Sequence, residues 1–189
     1  MNNPTTQASR FLSLILRHKP EEVGLTLDTN GWCSVSDLLK ALPKHGRFLS
    51  QDELDFLVES NDKKRFEFSP DGKRIRAVQG HSVEVKLMYD AIEPPEILFH
   101  GTATRFLDSI KASGIVKGSR QQVHLSDRIP TALKVGQRHG SPVVIPVSAR
   151  VMHKDGLLFY KAPNGVWLTD EVPARYLRFD GLIHSYSVI

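Results

Sequence analysis

"RFEFSPDGKRIRAV", residues 65–78, carries the clearest local fold signal in the chain. Two extended arms flank Ser-Pro-Asp-Gly, which is the pattern of a β-hairpin with a tight turn. Arg65, Lys73, Arg74 and Arg76 make the hairpin basic. The residues before it read as helices. In "FLSLILRHKP" (11–20), Ser9 can cap a helix over about 10–18, with Leu12, Ile15 and Leu16 on one face and Phe11 and Leu14 beside them. Arg17 falls on the polar side next to Ser13, His18 sits at the apolar margin, and Pro20 ends the run. "VSDLLKAL" (35–42) predicts a brief helix capped by Ser34 or Ser36. "SQDELDFLVES" (50–60) opens with a capping box, Ser50 with Glu53. Between them "GLTLDTNGWCSV" (24–35) reads as a short strand, a turn and a second extended piece. Three helices and then a basic hairpin are the order of a winged helix, a module that often binds nucleic acid, although a fold alone does not establish function.

The second half has a different texture. "QGHSVEV" (79–85) lacks helical periodicity and reads as a crossing between lobes. "AIEPPEILFHGT" (91–102) is a Pro-Pro break leading into a strand, and "RFLDSIKASG" (105–114) is a short helix closed by glycine. "VHLS" (123–126), "PVVIPV" (142–147) and "LFYKAPNGVWLT" (158–169) supply strands, the last folded about Asn164-Gly165. "PTALKVGQRHG" (130–140) is a further helix. The expected class is therefore α+β, with domains at 1–80 and 81–189.

Composition narrows the function classes. The 189 residues suffice for two small domains. No apolar run approaches the roughly 20 residues of a bilayer span. "MNNPTTQASR" has no basic stretch leading into a signal core, so the cytoplasm is the expected location and no membrane is expected as a partner. A single cysteine, Cys33, excludes an intrachain disulfide. The formal charge of +4 permits a polyanionic partner without requiring one. "KKR" (63–65), "KRIR" (73–76) and "KGSR" (117–120) are separate basic points among apolar segments. Walker, Rossmann, H-E-x-x-H and G-x-S-x-G patterns are all missing, as is any Cys/His spacing suited to zinc. Any chemistry must come from arginine, histidine and backbone, with no metal expected.

Six segments taken in order, "SRFLSLILRHKPEEVGLTLDTNGW", "NDKKRFEFSPDGKRIRAVQGHS", "LFHGT", "VHLS", "VGQRHGSPVVI" and "NGVWLT", resemble the NAD-dependent RNA 2'-phosphotransferases over nearly the whole chain. The resemblance implies a winged-helix-like N-terminal lobe and a strand-rich C-terminal lobe of the ADP-ribosyltransferase fold. It also implies removal of an internal, splice-junction 2'-phosphate from tRNA-like RNA, with NAD consumed as co-substrate. The RNA phosphate first displaces nicotinamide. A ribose hydroxyl then attacks phosphorus, giving 2'-OH RNA and ADP-ribose 1'',2''-cyclic phosphate. By motif the catalytic set falls on Arg17, His18, Arg65 and Arg120, and the NAD-binding set on His100, Gly101, Thr102, His124 and Ser126. The resemblance further implies a monomer.

The residue types suit such a substrate. A phosphomonoester carries nearly two negative charges, and guanidinium groups remain cationic and grip two oxygens at once. Protein-modifying ADP-ribosyltransferases place a glutamate near the acceptor, whereas "NGVWLT" has none, and a carboxylate there would repel an anionic nucleophile. His18 could carry a proton in the second step or donate hydrogen bonds to the phosphate. The resemblance puts His100 on a ribose hydroxyl and the Gly101 backbone on the nicotinamide amide, where the missing Cβ would permit close approach. Without it, Arg17 and His18 are cations at a helix C-terminus, Arg65 and Arg120 are solvated charges, and His100 and His124 are core histidines. Arg76, His81, Arg138 and His139 are assigned supporting roles at most, and Trp32 and Trp167 the core. Two other functions share these features: an ADP-ribosyltransferase that caps terminal phosphates of RNA or DNA, and a non-catalytic winged-helix regulator.

Overall fold

The computed structural model describes residues 4–61 and 63–184. The chain is α+β and divides into two compact units with the boundary between Met88 and Tyr89. The sequence reading placed it after residue 80. The difference has a clear cause, because the segment read as a crossing is bonded to the first unit. Ser82 and Val83 donate backbone N–H groups to the Arg17 carbonyl at 2.9 and 3.3 Å, and Lys86 N–H donates to Thr29 at 2.7 Å.

In the first unit, helix α1 spans Pro4–Arg17. It starts well before Ser9, with a proline at the first position, where the missing N–H has no intrahelical acceptor to lose. Ser9 is thus not the cap; it is buried in mid-helix. Strand β1 (Cys33–Ser34) leads into α2 (Val35–Ala41), capped by Ser34, whose Oγ accepts from Asp37 N–H at 3.2 Å. Helix α3 (Gln51–Glu59) has the expected capping box complete. The hairpin forms as read: β2 (Phe66–Phe68) and β3 (Arg74–Ala77) pair antiparallel, Glu67 opposite Arg76. The sheet order is β1-β3-β2. The strand expected at 25–28 does not form; Asp28 Oδ1 instead accepts from Asn30 and Trp32 N–H, a local turn that replaces ladder bonds. Leu12, Ile15 and Leu16 of α1 meet Leu38, Leu54, Leu57, Phe66 and Ile75 in one core. Cys33 lies in it, and burial first, then the Asp37 and Asp28 charges, push its thiol up to about 12, so it is inert.

In the second unit, β4 (Leu98–Ala103) is followed by α4 (Leu107–Ser113), β5 (Ile115–Val116), β6 (Val123–Leu125) and α5 (Ile129–Gly136). Then come β7 (Pro142–Val147), α6 (Ala149–Lys154), β8 (Tyr160–Lys161), β9 (Trp167–Thr169), β10 (Glu171–Val172) and β11 (Ile183–His184). Strand β7 is central in the order β11-β7-β4, which explains its unbroken apolar sequence. A second sheet runs β6-β9-β8, and reciprocal bonds between Phe99 and Ser126 (2.8 and 2.9 Å) join β4 to it. The turn at Asn164-Gly165 forms as expected, with Gly165 at φ +80.

Candidate active site

Three of the four predicted catalytic residues gather where α1 ends and β2 begins. Arg17 is the last residue of α1, and its Nη2 lies 3.5 Å from the Arg65 carbonyl oxygen, a long contact. Arg65 directs Nη1 to Ser9 Oγ (3.3 Å) and Asn61 Oδ1 (3.2 Å). His18 places Nδ1 2.9 Å from Ser82 Oγ, and the Ser82 N–H is the donor to the Arg17 carbonyl. Ser9, Ser13 and Arg17 recur every four residues, so they form one polar stripe along an otherwise apolar helix. That spacing was visible in the sequence and could have moved Ser9 from capping residue to site residue. Asn61 and Ser82 had no comparable signal.

Behind this set lies His81, 2% exposed, with both ring nitrogens lacking hydrogen-bond partners. Burial first, then the charges of Arg17, His18 and Arg76, lower its pKa to about 4. The ring is neutral near pH 7 and fills space beside cations without adding charge. Arg76 is structural. It bonds Glu67 at 2.6 Å and the carbonyls of Asn30 and Leu87, and its guanidinium lies 4.4 Å from the centre of the Trp32 ring.

The fourth arginine and the five predicted cofactor residues lie in the second unit. Arg120, in the loop before β6, donates from Nη1 to His124 Nδ1 at 2.8 Å. That nitrogen therefore carries no proton, and His124 is a neutral imidazole. The His124 carbonyl accepts from His100 Nδ1 at 3.3 Å, which leaves His100 Nε2 as an acceptor. Burial lowers the His100 pKa to about 4, against the opposing pull of the His124 carbonyl, with Arg120 and His139 lowering it further. Burial and then Arg138 also lower the Arg120 pKa. Arg138 and His139 thus belong to this neighbourhood electrostatically. Thr102 is buried on β4. Ser126 donates its hydroxyl to the Arg128 carbonyl and accepts from Arg128 N–H, both at 3.0 Å, so it shapes the start of α5.

Gly101 corrects the sequence reading. Its missing Cβ makes room for α5: a Cβ there would lie 1.8 Å from the Ala132 carbonyl oxygen. Gly136 of α5 meets β4 in the same way, 2.5 Å from the Thr102 carbonyl oxygen. The two glycines let helix and strand backbones touch. Proximity to a ligand is not what demands glycine at 101.

Chemically, the first unit offers permanently charged guanidiniums beside an exposed imidazole, and the second offers a neutral histidine acceptor beside an arginine. The model of the "RNA 2'-phosphotransferase, Tpt1 / KptA family" matches residues 3–171. The chain belongs to this family. It is 52% identical over 176 residues to a protein of Acaryochloris marina, covering 93% of this chain and 97% of that one. It is 55% identical over 171 residues to one of Pseudomonas aeruginosa PAO1, covering 90% and 94%. A third, from Agrobacterium fabrum, is 56% identical over 173 residues, covering 92% and 93%. All three relatives carry the name "Probable RNA 2'-phosphotransferase". Among the described residues, no group of three or more His, Cys, Asp or Glu could hold a metal ion, and no helix is long and apolar enough to cross a membrane.

Proposed function

We propose that this chain removes an internal 2'-phosphate from RNA, of the tRNA splice-junction kind, and transfers it to NAD in two steps. Membership of the RNA 2'-phosphotransferase family is the observation that carries the reading. The clustering of Arg17, His18 and Arg65 supports it, because a dianionic phosphate calls for several fixed cations and little else. In this account the first unit is the winged-helix-like lobe. Its two arginines hold the phosphate, and Arg120 is the fourth member of the catalytic set. The second unit is the lobe of ADP-ribosyltransferase type. There His100 fits an adenosine-ribose hydroxyl, since its Nε2 accepts and its Nδ1 is committed to His124.

In the first step a 2'-phosphate oxygen bonds to the anomeric carbon of the nicotinamide ribose as the bond to nicotinamide breaks. In the second, the adjacent ribose hydroxyl attacks phosphorus, its proton leaves toward His18, and the RNA 2'-oxygen departs and is protonated. The products are 2'-OH RNA and ADP-ribose 1'',2''-cyclic phosphate. Ser82 holds one face of the His18 ring so that the other nitrogen can serve the phosphate. The test is nicotinamide release from NAD in the presence of an RNA bearing one internal 2'-phosphate, against the same RNA with a 2'-OH. Release that requires the 2'-phosphate is expected. Release indifferent to it would refute the reading.

A further inference from the structure

The first unit contains a cleft of about 330 Å³ that none of the roles above explains. It lies at the lower end of the range for small-ligand sites. Thr6, Ser9 and Arg10 of α1 form one wall, and Asn61, Lys63 and Arg65 form the other. Three cations and three neutral polar side chains face the space, and no carboxylate is among the described residues lining it. That composition suits an oxyanion with esterified neighbours better than an apolar ligand or a cation. Arg65 joins the cleft to the candidate active site. Its Nη1 bonds Ser9 and Asn61 inside the cleft, while its backbone carbonyl meets Arg17.

We propose that this cleft binds a backbone phosphodiester of the RNA strand beside the nucleotide that carries the 2'-phosphate. The inference rests on the reading of the chain as an RNA-directed enzyme and extends it to substrate choice. An internal 2'-phosphate always has a phosphodiester on the neighbouring 3'-oxygen, so three anionic groups crowd one stretch of strand. A set of cations sized for one phosphomonoester leaves the flanking charges uncompensated. A contiguous basic cleft compensates one of them, and a terminal phosphate lacks that second anion. The cleft thereby gives the site a means of preferring internal 2'-phosphates to strand ends.

The experiment measures binding of a labelled single-stranded RNA ten-mer without any 2'-phosphate, by fluorescence anisotropy across a salt series and without NAD. Three proteins are compared: the parent, Arg10→Ala with Lys63→Ala in the cleft, and Lys73→Ala with Arg74→Ala at the hairpin tip. Circular dichroism confirms that each is folded. The cleft pair should weaken binding by about 10- to 30-fold and lower the slope of log K against log salt by roughly 1.4. The tip pair should change affinity by less than about 3-fold. Thr6→Trp, which fills the cleft and removes no charge, should weaken binding too, whereas Arg10→Lys should largely preserve it. An unchanged affinity in the cleft pair, or an equal loss at the hairpin tip, overturns the proposal. So does a cleft pair that loses affinity for NAD and not for RNA, which would assign the cleft to the dinucleotide's pyrophosphate. Neither 2'-phosphate nor turnover enters the binding assay, so its failure is separable from a failure of phosphate removal by the parent protein.

Discussion

Gly101→Ala adds one methyl group where the structure leaves no room for it. The new Cβ would sit 1.8 Å from the Ala132 carbonyl oxygen, 2.5 Å from its carbon and 3.0 Å from its Cα. All three atoms are helix backbone, so no rotamer change relieves the clash. To restore even the 3.4 Å of ordinary contact, α5 must retreat from β4 by roughly 1.6 Å at this point. Strand β4 cannot yield easily, because six residue pairs hold it to β7 from Leu98 to Ala103. Overpacking typically costs about 1–3 kcal/mol, and a clash against backbone belongs at or above the upper end, about 3 kcal/mol. For a chain of this length that corresponds to a fall in Tm of roughly 6–12 °C. Gly165→Ala is the matched control. Its φ is +80 and nothing lies within 4 Å of the new Cβ, so only the left-handed backbone strain of about 1–2 kcal/mol applies. Differential scanning fluorimetry of both variants reads the contrast directly. If Gly101→Ala melts within about 1 °C of the parent, the reasoning about α5 and β4 is wrong.

Three other outcomes follow from the geometry. His18→Ala and Arg65→Ala should slow the second step more than NAD binding, so that 2'-phospho-ADP-ribosylated RNA accumulates in a single-turnover time course; parental turnover by either variant would remove that residue from the catalytic set. Ser82→Ala, which deprives His18 Nδ1 of its 2.9 Å partner, should lower kcat by about 3- to 10-fold with the KM for NAD unchanged, and a pH–rate profile identical to the parent's would argue against an orienting role. His81 and His100 each have a pKa lowered from 6.5 to about 4, so the unfolded chain takes up more protons between those values: the stability contributed by their neutral forms is complete above about pH 6.5 and drains away as the pH falls toward 4. His81→Leu should flatten the dependence of the urea midpoint on pH across that window, and an unchanged slope would contradict it.

Local chemistry decided which parts of this fold were legible in the sequence. The hairpin at 66–77, the Ser50/Glu53 capping box and the Asn164-Gly165 turn each depend on residues within a few positions of one another, and each was read correctly. The start of α1 was missed because its first turn is Pro-Thr-Thr-Gln, which offers no apolar periodicity. Ser9 looked like a cap because serine is a good one; only the fold brings Asn61 and Arg65 to its hydroxyl. Residues 81–88 carry no pattern of their own, and their attachment to Arg17, Thr29 and Arg76 is a matter of distant partners. Gly101 shows the same limit most plainly. The motif "HGT" marked the glycine as special, while the reason, a carbonyl of a helix about 30 residues later, is a packing fact. Among the candidate site residues, Arg17 and His18 stood out as adjacent cations ending an apolar helix. Ser82 and Arg138 became visible only as neighbours of others.

The most direct test of phosphate transfer is a mass balance on one reaction. The protein, NAD and an RNA oligonucleotide with a single internal 2'-phosphate are combined in chelator, and RNA and nucleotide products are weighed by mass spectrometry. The account predicts that each RNA loses one phosphate as one nicotinamide is released and one ADP-ribose cyclic phosphate appears. An RNA that keeps its phosphate while NAD stays whole, or phosphate freed as the inorganic ion, would contradict it.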